Sequence, residues 1–543
     1  MTLFKETLNG KEANGISAGR NGSVNGSNAG SKAEAIQGWL IDRLAEILEI
    51  EPNQIDVGQD FEEYGLESAE AINLSGDLED YLGCRLPPTL LWEYQNIQAL
   101  AQYLASNNFD RGKIDSASDL IRVSSTELAE LNKNSVEDSM EIAPENYKFE
   151  EFPEYKKLQA QQEQVASLGN GNPFFVPQEG IVNDRTTING RELINFATYN
   201  YIGMCGDPQV TAAAKSATDL YGTSACASRL ISGEKPIHRE LERELADFIG
   251  VEDSIVMVGG HATNVTTIGH LFGNNDLVIY DSLSHNSIMQ GCFLSGASLV
   301  AFPHNDIQAL ETILRDRRHR YQRVLIAIEG VYSTDGDIAN LPQAIALKQQ
   351  YKTFLMVDEA HSMGTIGKTG RGISEYCDIN PRDVDLWMGT LSKSFASCGG
   401  YIAGSSALVE YLKYTAPGFV FSVGMSPPNT AATIAAIRVL KAEPERATRL
   451  QERAKLFLDL AKEQGLNTGM SQDSPVIPII VGDSLKSIRL SQNLFKRGIN
   501  VPFMIYPSVP QNGARLRFFI TCNHTEKQIR ETVNILAEEL NKL

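Results

Sequence analysis

No run of about 18 apolar residues occurs anywhere in the 543-residue chain, so a membrane-crossing helix is not expected. The N-terminus lacks the charged-then-apolar pattern of a secretory signal. Cysteine is sparse: seven residues, with no C-x-x-C pair and no metal-like spacing. That argues against a disulfide framework and a metal site, and predicts reduced thiols in the cytoplasm. Positive charge is short as well, 48 Lys and Arg against 68 Asp and Glu, a formal net charge of −20. Nucleic acid is therefore excluded as the main partner, because phosphate binding needs a basic face.

The acidity that is present is uneven. Residues 32–105 hold fifteen Asp and Glu against three Lys and Arg, which marks a separate acidic module. Ahead of it, residues 14–32 are rich in Gly, Ser and Asn and too poor in apolar groups to order themselves, so residues 1–31 read as a flexible lead. From Ala33 the pattern is helical, with Ile36, Leu40, Leu44, Ile47 and Leu48 at three- and four-residue spacing. Further helices are predicted over about Ser68–Leu82 and Ile97–Ala105, giving a small helical domain over 32–107. Residues 108–150 are polar and weakly periodic, a linker. From about Glu151 helical stretches alternate with short apolar runs at Ser254–Val258, Asp276–Tyr280, Arg323–Ile328, Thr353–Val357 and Leu386–Met388. Such alternation predicts an α/β fold, a mostly parallel sheet covered on both faces, over 151–425. A long helix from about Ser426 and strands at Val476–Val481, Gly498–Val501 and Arg515–Ile520 predict a smaller α+β domain over 426–543.

Candidate chemistry gathers at the strand ends, where open α/β sheets bind ligands. The run TFLMVDEAH ends its strand in Asp358, a carboxylate able to pair with a cofactor ring nitrogen and keep it protonated. About 35 residues on, LWMGTLSKSFASCG runs into a turn of small residues carrying Lys393 between Thr390, Ser392 and Ser394, a candidate Schiff-base nucleophile. Upstream, MVGGHATN follows a strand and opens a helix, so that its glycines let backbone amides approach a phosphate. His285, in DSLSHNS, stands where an imidazole can stack on a cofactor ring. Each signal is weak alone; their order along the chain is specific.

Over roughly Phe174–Leu543 the sequence resembles the α-oxoamine synthases, fold-type-I pyridoxal-phosphate (PLP) enzymes. The resemblance rests on NFATYNYIGM (195–204), GTSACASRLISGEKPIHRELE (222–242), DSLSHNSI (281–288), IEGVYSTDGD (328–337), VDEAHSMGTIGKTGRG (357–372), GTLSKSFASCGGY (389–401) and ARLRFFITCNHT (514–525). It implies PLP on Lys393, with Asp358 on the ring nitrogen, His285 stacked on the ring, His361 on the ring hydroxyl and Ser333 beside it. It implies Gly260, His261 and Thr390 at the phosphate, and Ser422 reaching a phosphate from the partner subunit of a homodimer. In FSVGMSPP, Val423 and Gly424 replace hydroxyl positions of the usual pattern. Arg517 is expected to clamp an amino-acid carboxylate and Asn200 to face the substrate. His238 reads as a helix-start residue.

A second resemblance concerns DFEEYGLESAEAINLSGDLEDYL (60–82). An acidic helical domain with G-L-E-S at the start of a helix resembles acyl carrier proteins, which implies a 4′-phosphopantetheine arm on Ser68, with Glu67 where Asp is usual. The two resemblances together imply an acyltransferase joining an amino acid to a carrier-bound acyl thioester, with loss of CO2, to give an α-aminoketone. A phosphopantetheinyl transferase and an acyl-loading enzyme are the expected partners. An aminotransferase acting on a carrier-tethered keto substrate is the alternative.

Overall fold

The computed structural model describes residues 28–106 apart from 49, 65, 67, 85 and 87–89, then 142–166, and 173–543 apart from 507. The expected lead, up to residue 27, and the expected linker, up to residue 141, lie outside the described residues. The chain divides into two compact units, residues 1–64 with 92–110, and residues 65–91 with 111–543.

The N-terminal helices are α1 (Asn28–Leu48), α2 (Ser68–Leu82) and α3 (Ile97–Ser106). Of these, α1 and α3 belong to the first unit and pack on each other. Ile36, Leu40 and Leu44 are buried on α1, as are Ile97, Leu100 and Leu104 on α3, which is the three- and four-residue spacing carried into a core. α1 starts at Asn28 rather than Ala33, because its first turn, NAGSK, has no large apolar side chain to announce it.

The second unit is built on thirteen described strands. They are β1 (Arg185–Ile188), β2 (Arg191–Asn195), β3 (Asp253–Met257), β4 (Leu277–Asp281), β5 (Ser298–Phe302), β6 (Val324–Glu329), β7 (Phe354–Asp358), β8 (Leu386–Thr390), β9 (Gly400–Gly404), β10 (Val476–Gly482), β11 (Ile499–Asn500), β12 (Phe503–Met504) and β13 (Ala514–Phe519). Seven form the central sheet, in the order β3-β9-β8-β7-β6-β4-β5. Within it β5, β4, β6, β7 and β8 run parallel, while β9 is antiparallel to both its neighbours. Side chains alternate between two cores. Leu277, Ile279, Val324, Ile326, Ile328, Leu355 and Val357 enter one. Val278, Tyr280, Leu325, Ala327 and Met356 enter the other. Burial on both faces is why these strands read as unbroken apolar runs. Smaller sheets, β1-β2-β11 and β10-β13-β12, complete the unit.

In the central sheet β5 and β9 add to the predicted strands, and outside it β1, β2 and β12 do so. The sequence GYIAG of β9 looks too rich in glycine for a strand, but packing requires it. A Cβ at Gly400 would lie 2.8 Å from the Cα of Gly260, so glycine lets the helix α4 (Gly260–Leu271) rest directly on the sheet. No helix among the described residues is long and apolar enough to cross a membrane.

The loop after β6 ties the large sheet to β10. Gly336 has φ +72°, and a Cβ there would collide with the carbonyl of Val476. Replacing Gly336 with Ala should lower unfolding stability by about 2 kcal/mol or more, read by urea denaturation. An unchanged midpoint would contradict this account of the loop.

Candidate active site

Four parallel strands deliver polar residues to one end of the sheet: Asp281 closes β4, Glu329 β6, Asp358 β7 and Thr390 β8. Asp358 is buried, 3% exposed. Its Oδ1 accepts the Ala360 N–H at 2.9 Å, and its Oδ2 accepts from Asn264 Nδ2 at 2.8 Å. Asn264 Nδ2 also donates to Ser287 Oγ at 2.9 Å, and Ser287 Oγ pairs with His285 Nδ1 at 2.7 Å. One hydrogen-bonded line thus runs from Asp358 to His285, which caps the helix α5 (Asn286–Ser295). The backbone N–H of His285 donates to Glu329 Oε1 at 2.5 Å. Burial, then the charge of Asp358, raises the Glu329 carboxyl to about 8.

Lys393 follows β8 in the turn Leu391–Gly399. Burial pushes its ammonium down to about 8, against the opposing pull of Asp358 and Glu329. Its Nζ stands 5.5 Å from the ring centroid of Tyr199. His361 is buried, and burial holds its imidazole well below the usual range, so it is neutral at pH 7. Its Nδ1 pairs with the Tyr201 hydroxyl at 2.8 Å, which leaves Nε2 for another partner. At the start of α4, Gly259 has extended backbone, and a Cβ on Gly260 would come within 2.9 Å of Thr390 Oγ1. Glycine there keeps a helix N-terminus beside a hydroxyl, a cradle for an anion. His261 is exposed, its ring 6.4 Å from that of His285.

Arg517, from β13, donates through Nη1 to the Ser333 carbonyl at 2.7 Å and through Nη2 to the Tyr199 hydroxyl at 3.4 Å. Its guanidinium lies 4.6 Å over the Phe519 ring, and its buried Nε has no partner among the described residues. Asn200, expected to face the substrate, is buried, its Nδ2 donating to the Val182 carbonyl at 3.3 Å and its Oδ1 accepting the Cys205 N–H at 3.0 Å. Its neighbour Tyr199 takes the place facing Lys393 and Arg517. His238 is buried at the start of its helix, with Nδ1 accepting from Lys235 N at 3.1 Å and Nε2 against the Met425 carbonyl at 2.7 Å. Ser422 lines a small cavity with Arg229, Val256 and Val258. Ser68 is the first residue of α2.

The aminotransferase class I and II family matches residues 191–536, and the phosphopantetheine attachment site family matches residues 38–104. The chain is 37% identical to an 8-amino-7-oxononanoate synthase of Thermoanaerobacter pseudethanolicus over 345 residues, 64% of this chain and 87% of the relative. It is 37% identical to serine palmitoyltransferase 3 of Caenorhabditis elegans over 353 residues, 62% of this chain and 69% of the relative. A solved serine palmitoyltransferase of Sphingomonas wittichii superposes with a TM-score of 0.68 at 30% identity, covering 72% of this chain and 98% of that one.

The chain belongs to the α-oxoamine synthases. As in that family, its cofactor is PLP, and the N-terminal match adds phosphopantetheine. The site of this synthase fits PLP on its own chemistry. Asp358 is a buried carboxylate with no cation within ion-pair distance among the described residues, and a protonated pyridine nitrogen would supply one. Sequence reasoning missed Asn264 and Tyr199. Both stand inside the motifs it used, MVGGHATN and NFATYNYIGM, but their roles depend on side-chain direction, which a motif does not carry.

The lowered Lys393 ammonium gives a pH test. As the lysine expected to hold PLP, it would capture the cofactor only as a neutral amine, and neutrality rises with pH, from about a tenth at pH 7 to about half at pH 8. The rate at which PLP-free protein recovers the visible band of the lysine-bound cofactor should therefore climb with a midpoint near 8. A midpoint near 10, that of an ordinary lysine, would contradict the burial assigned to this side chain.

Proposed function

We propose that this enzyme condenses an amino acid with an acyl thioester carried on Ser68, releases CO2 and yields an α-aminoketone. Bound PLP supplies an electron sink for charge developing at the amino-acid α-carbon. The remaining work falls to the chain. Lys393 holds the cofactor and then, with its ammonium lowered, moves the α-proton. Asp358 keeps the pyridine nitrogen protonated, and Asn264 holds that carboxylate in place. His285 packs on the ring, neutral His361 offers Nε2 to the ring hydroxyl with Ser333 beside it, and Gly260, His261 and Thr390 receive the phosphate.

The observation that carries the reading is Arg517. Its Nε is buried without a partner and its Nη2 has only a long bond to Tyr199, while Nη1 is anchored on Ser333. A guanidinium held in this way presents the fork that a carboxylate fits. The phosphopantetheine-site match, which includes Ser68, supports delivery of the acyl group by a carrier domain over residues 32–107. A tethered thioester has a high effective concentration. Loading the carrier requires a phosphopantetheinyl transferase and an acyl-activating partner.

A homodimer completes the site in this reading. Ile231, Phe421 and Val423 are 80%, 87% and 48% exposed, a group of apolar side chains that a second copy could cover. Ser422 lies between Phe421 and Val423, so a second copy covering them would bring it to a neighbouring phosphate. The free thiols support a reducing compartment, the cytoplasm.

Carboxyl-labelled amino acids separate this reading from transamination. With the acyl group loaded on Ser68, labelled CO2 should leave in step with loss of the acyl group. Arg517→Lys should raise the amino-acid KM about tenfold or more, because an ammonium cannot form the fork. Amino-group transfer with the label retained would refute condensation.

A further inference from the structure

The strand at one margin of the central sheet, β5, has β4 on one side only. An edge strand leaves peptide groups unpaired, and proteins cover such edges. Here the cover comes from α2, the helix that begins at Ser68. The Asn73 side chain pairs with one peptide unit of the edge: Nδ2 donates to the Ala301 carbonyl at 3.2 Å, and the Ala301 N–H donates to Oδ1 at 3.0 Å. A side-chain amide thus stands in for a strand's peptide group. One turn further, a Cβ at Gly76 would lie 3.7 Å from the Leu299 carbonyl oxygen. Asp77 Oδ1 accepts from Arg317 Nη2 at 3.3 Å. Asn73, Gly76 and Asp77 share a face at three- and four-residue spacing. Beside them Ile72, 1% exposed, enters the core that holds Val278, Leu299 and Ala301.

The order of these contacts fixes a direction. Later residues of α2 meet earlier residues of β5, so the helix runs antiparallel to the strand. β5 is parallel to β4, β6, β7 and β8, whose C-terminal ends carry the site. The Ser68 end of α2 therefore points to the cofactor end of the sheet, about 7.5 Å beyond Asn73 along the helix. Three strand spacings, about 14 Å, separate β5 from β7 and Asp358.

We propose that the outer edge of β5 is the docking site from which the carrier helix delivers its acyl group, with Asn73 and the Asp77–Arg317 pair as its specific contacts. This rests on Ser68 being the attachment point. Docking at this edge sets the direction of the phosphopantetheine arm, and it adds nothing for a thioester arriving from solution.

The test uses the full chain, phosphopantetheinylated and acylated, with acyl-CoA as the free donor. Asn73→Ala and Asp77→Arg should each slow loss of the acyl group from the carrier about tenfold, while turnover of acyl-CoA stays unchanged. The reciprocal pair Asp77→Arg with Arg317→Asp should restore most of the carrier-fed rate. A carrier-fed rate that is unchanged or raised in Asn73→Ala, or a loss shared equally by both donors, would overturn the proposal. If neither donor turns over, condensation itself fails, and hydrogen exchange decides the docking separately. The Ala301 amide should exchange faster in Asn73→Ala, and equal exchange would overturn the docking contact.

Discussion

A carboxylate buried at the end of a parallel strand is the constraint on which the site depends. Asp358 sits at the C-terminus of β7, with one oxygen on a backbone N–H and the other on Asn264. Its charge acts on several titratable neighbours: it opposes the lowering of Lys393, raises Glu329 and pulls His285 upward against burial. Burying a carboxylate without a cation is costly. In the proposed reading PLP held by Lys393 would bring the cation that relieves the cost, and the Asp358 charge would keep its ring nitrogen protonated. Asn264 and Ser287 connect Asp358 to His285, so the residues proposed to hold the ring nitrogen and the ring face share one hydrogen-bonded line.

Around this centre the fold works mainly by close approach. Gly400 brings α4 onto the sheet, and Gly260 leaves room for Thr390 at the helix start. Arg517 reaches the site from the small β10-β13-β12 sheet and is held by the Ser333 carbonyl. The buried pair of Arg515 and Asp335, 2.6 Å apart, fixes the same strand to the same loop. Arg517, the proposed carboxylate clamp, is thus positioned by two contacts across the sheets.

Much of this was legible in the sequence, for identifiable reasons. Strands buried on both faces are unbroken apolar runs, so β4, β6, β7 and β8 could be placed, and Asp358, Thr390 and Lys393 fell at their ends. The family motifs were equally plain. What escaped depended on three-dimensional approach: β9 hid behind its glycines, and α1 began in a turn without large side chains. Two adjacent residues of one loop, Tyr199 and Asn200, have different surroundings: Tyr199 lies against Lys393, and Asn200 is buried against Val182 and Cys205. Nothing in a linear pattern says which of them faces Lys393. The pairing of Asn73 with Ala301, 228 residues apart, is likewise beyond local pattern.

In the proposed reaction the Asp358 charge drives the chemistry rather than merely holding the fold. Asp358→Asn keeps the shape and one of the two acceptors, for Asn264 or for the Ala360 N–H, but removes the charge. The variant should still bind PLP on Lys393, shown by its visible band, while turnover falls by at least about a hundredfold at every pH. A variant that binds PLP and turns over within about tenfold of the parent would contradict the account.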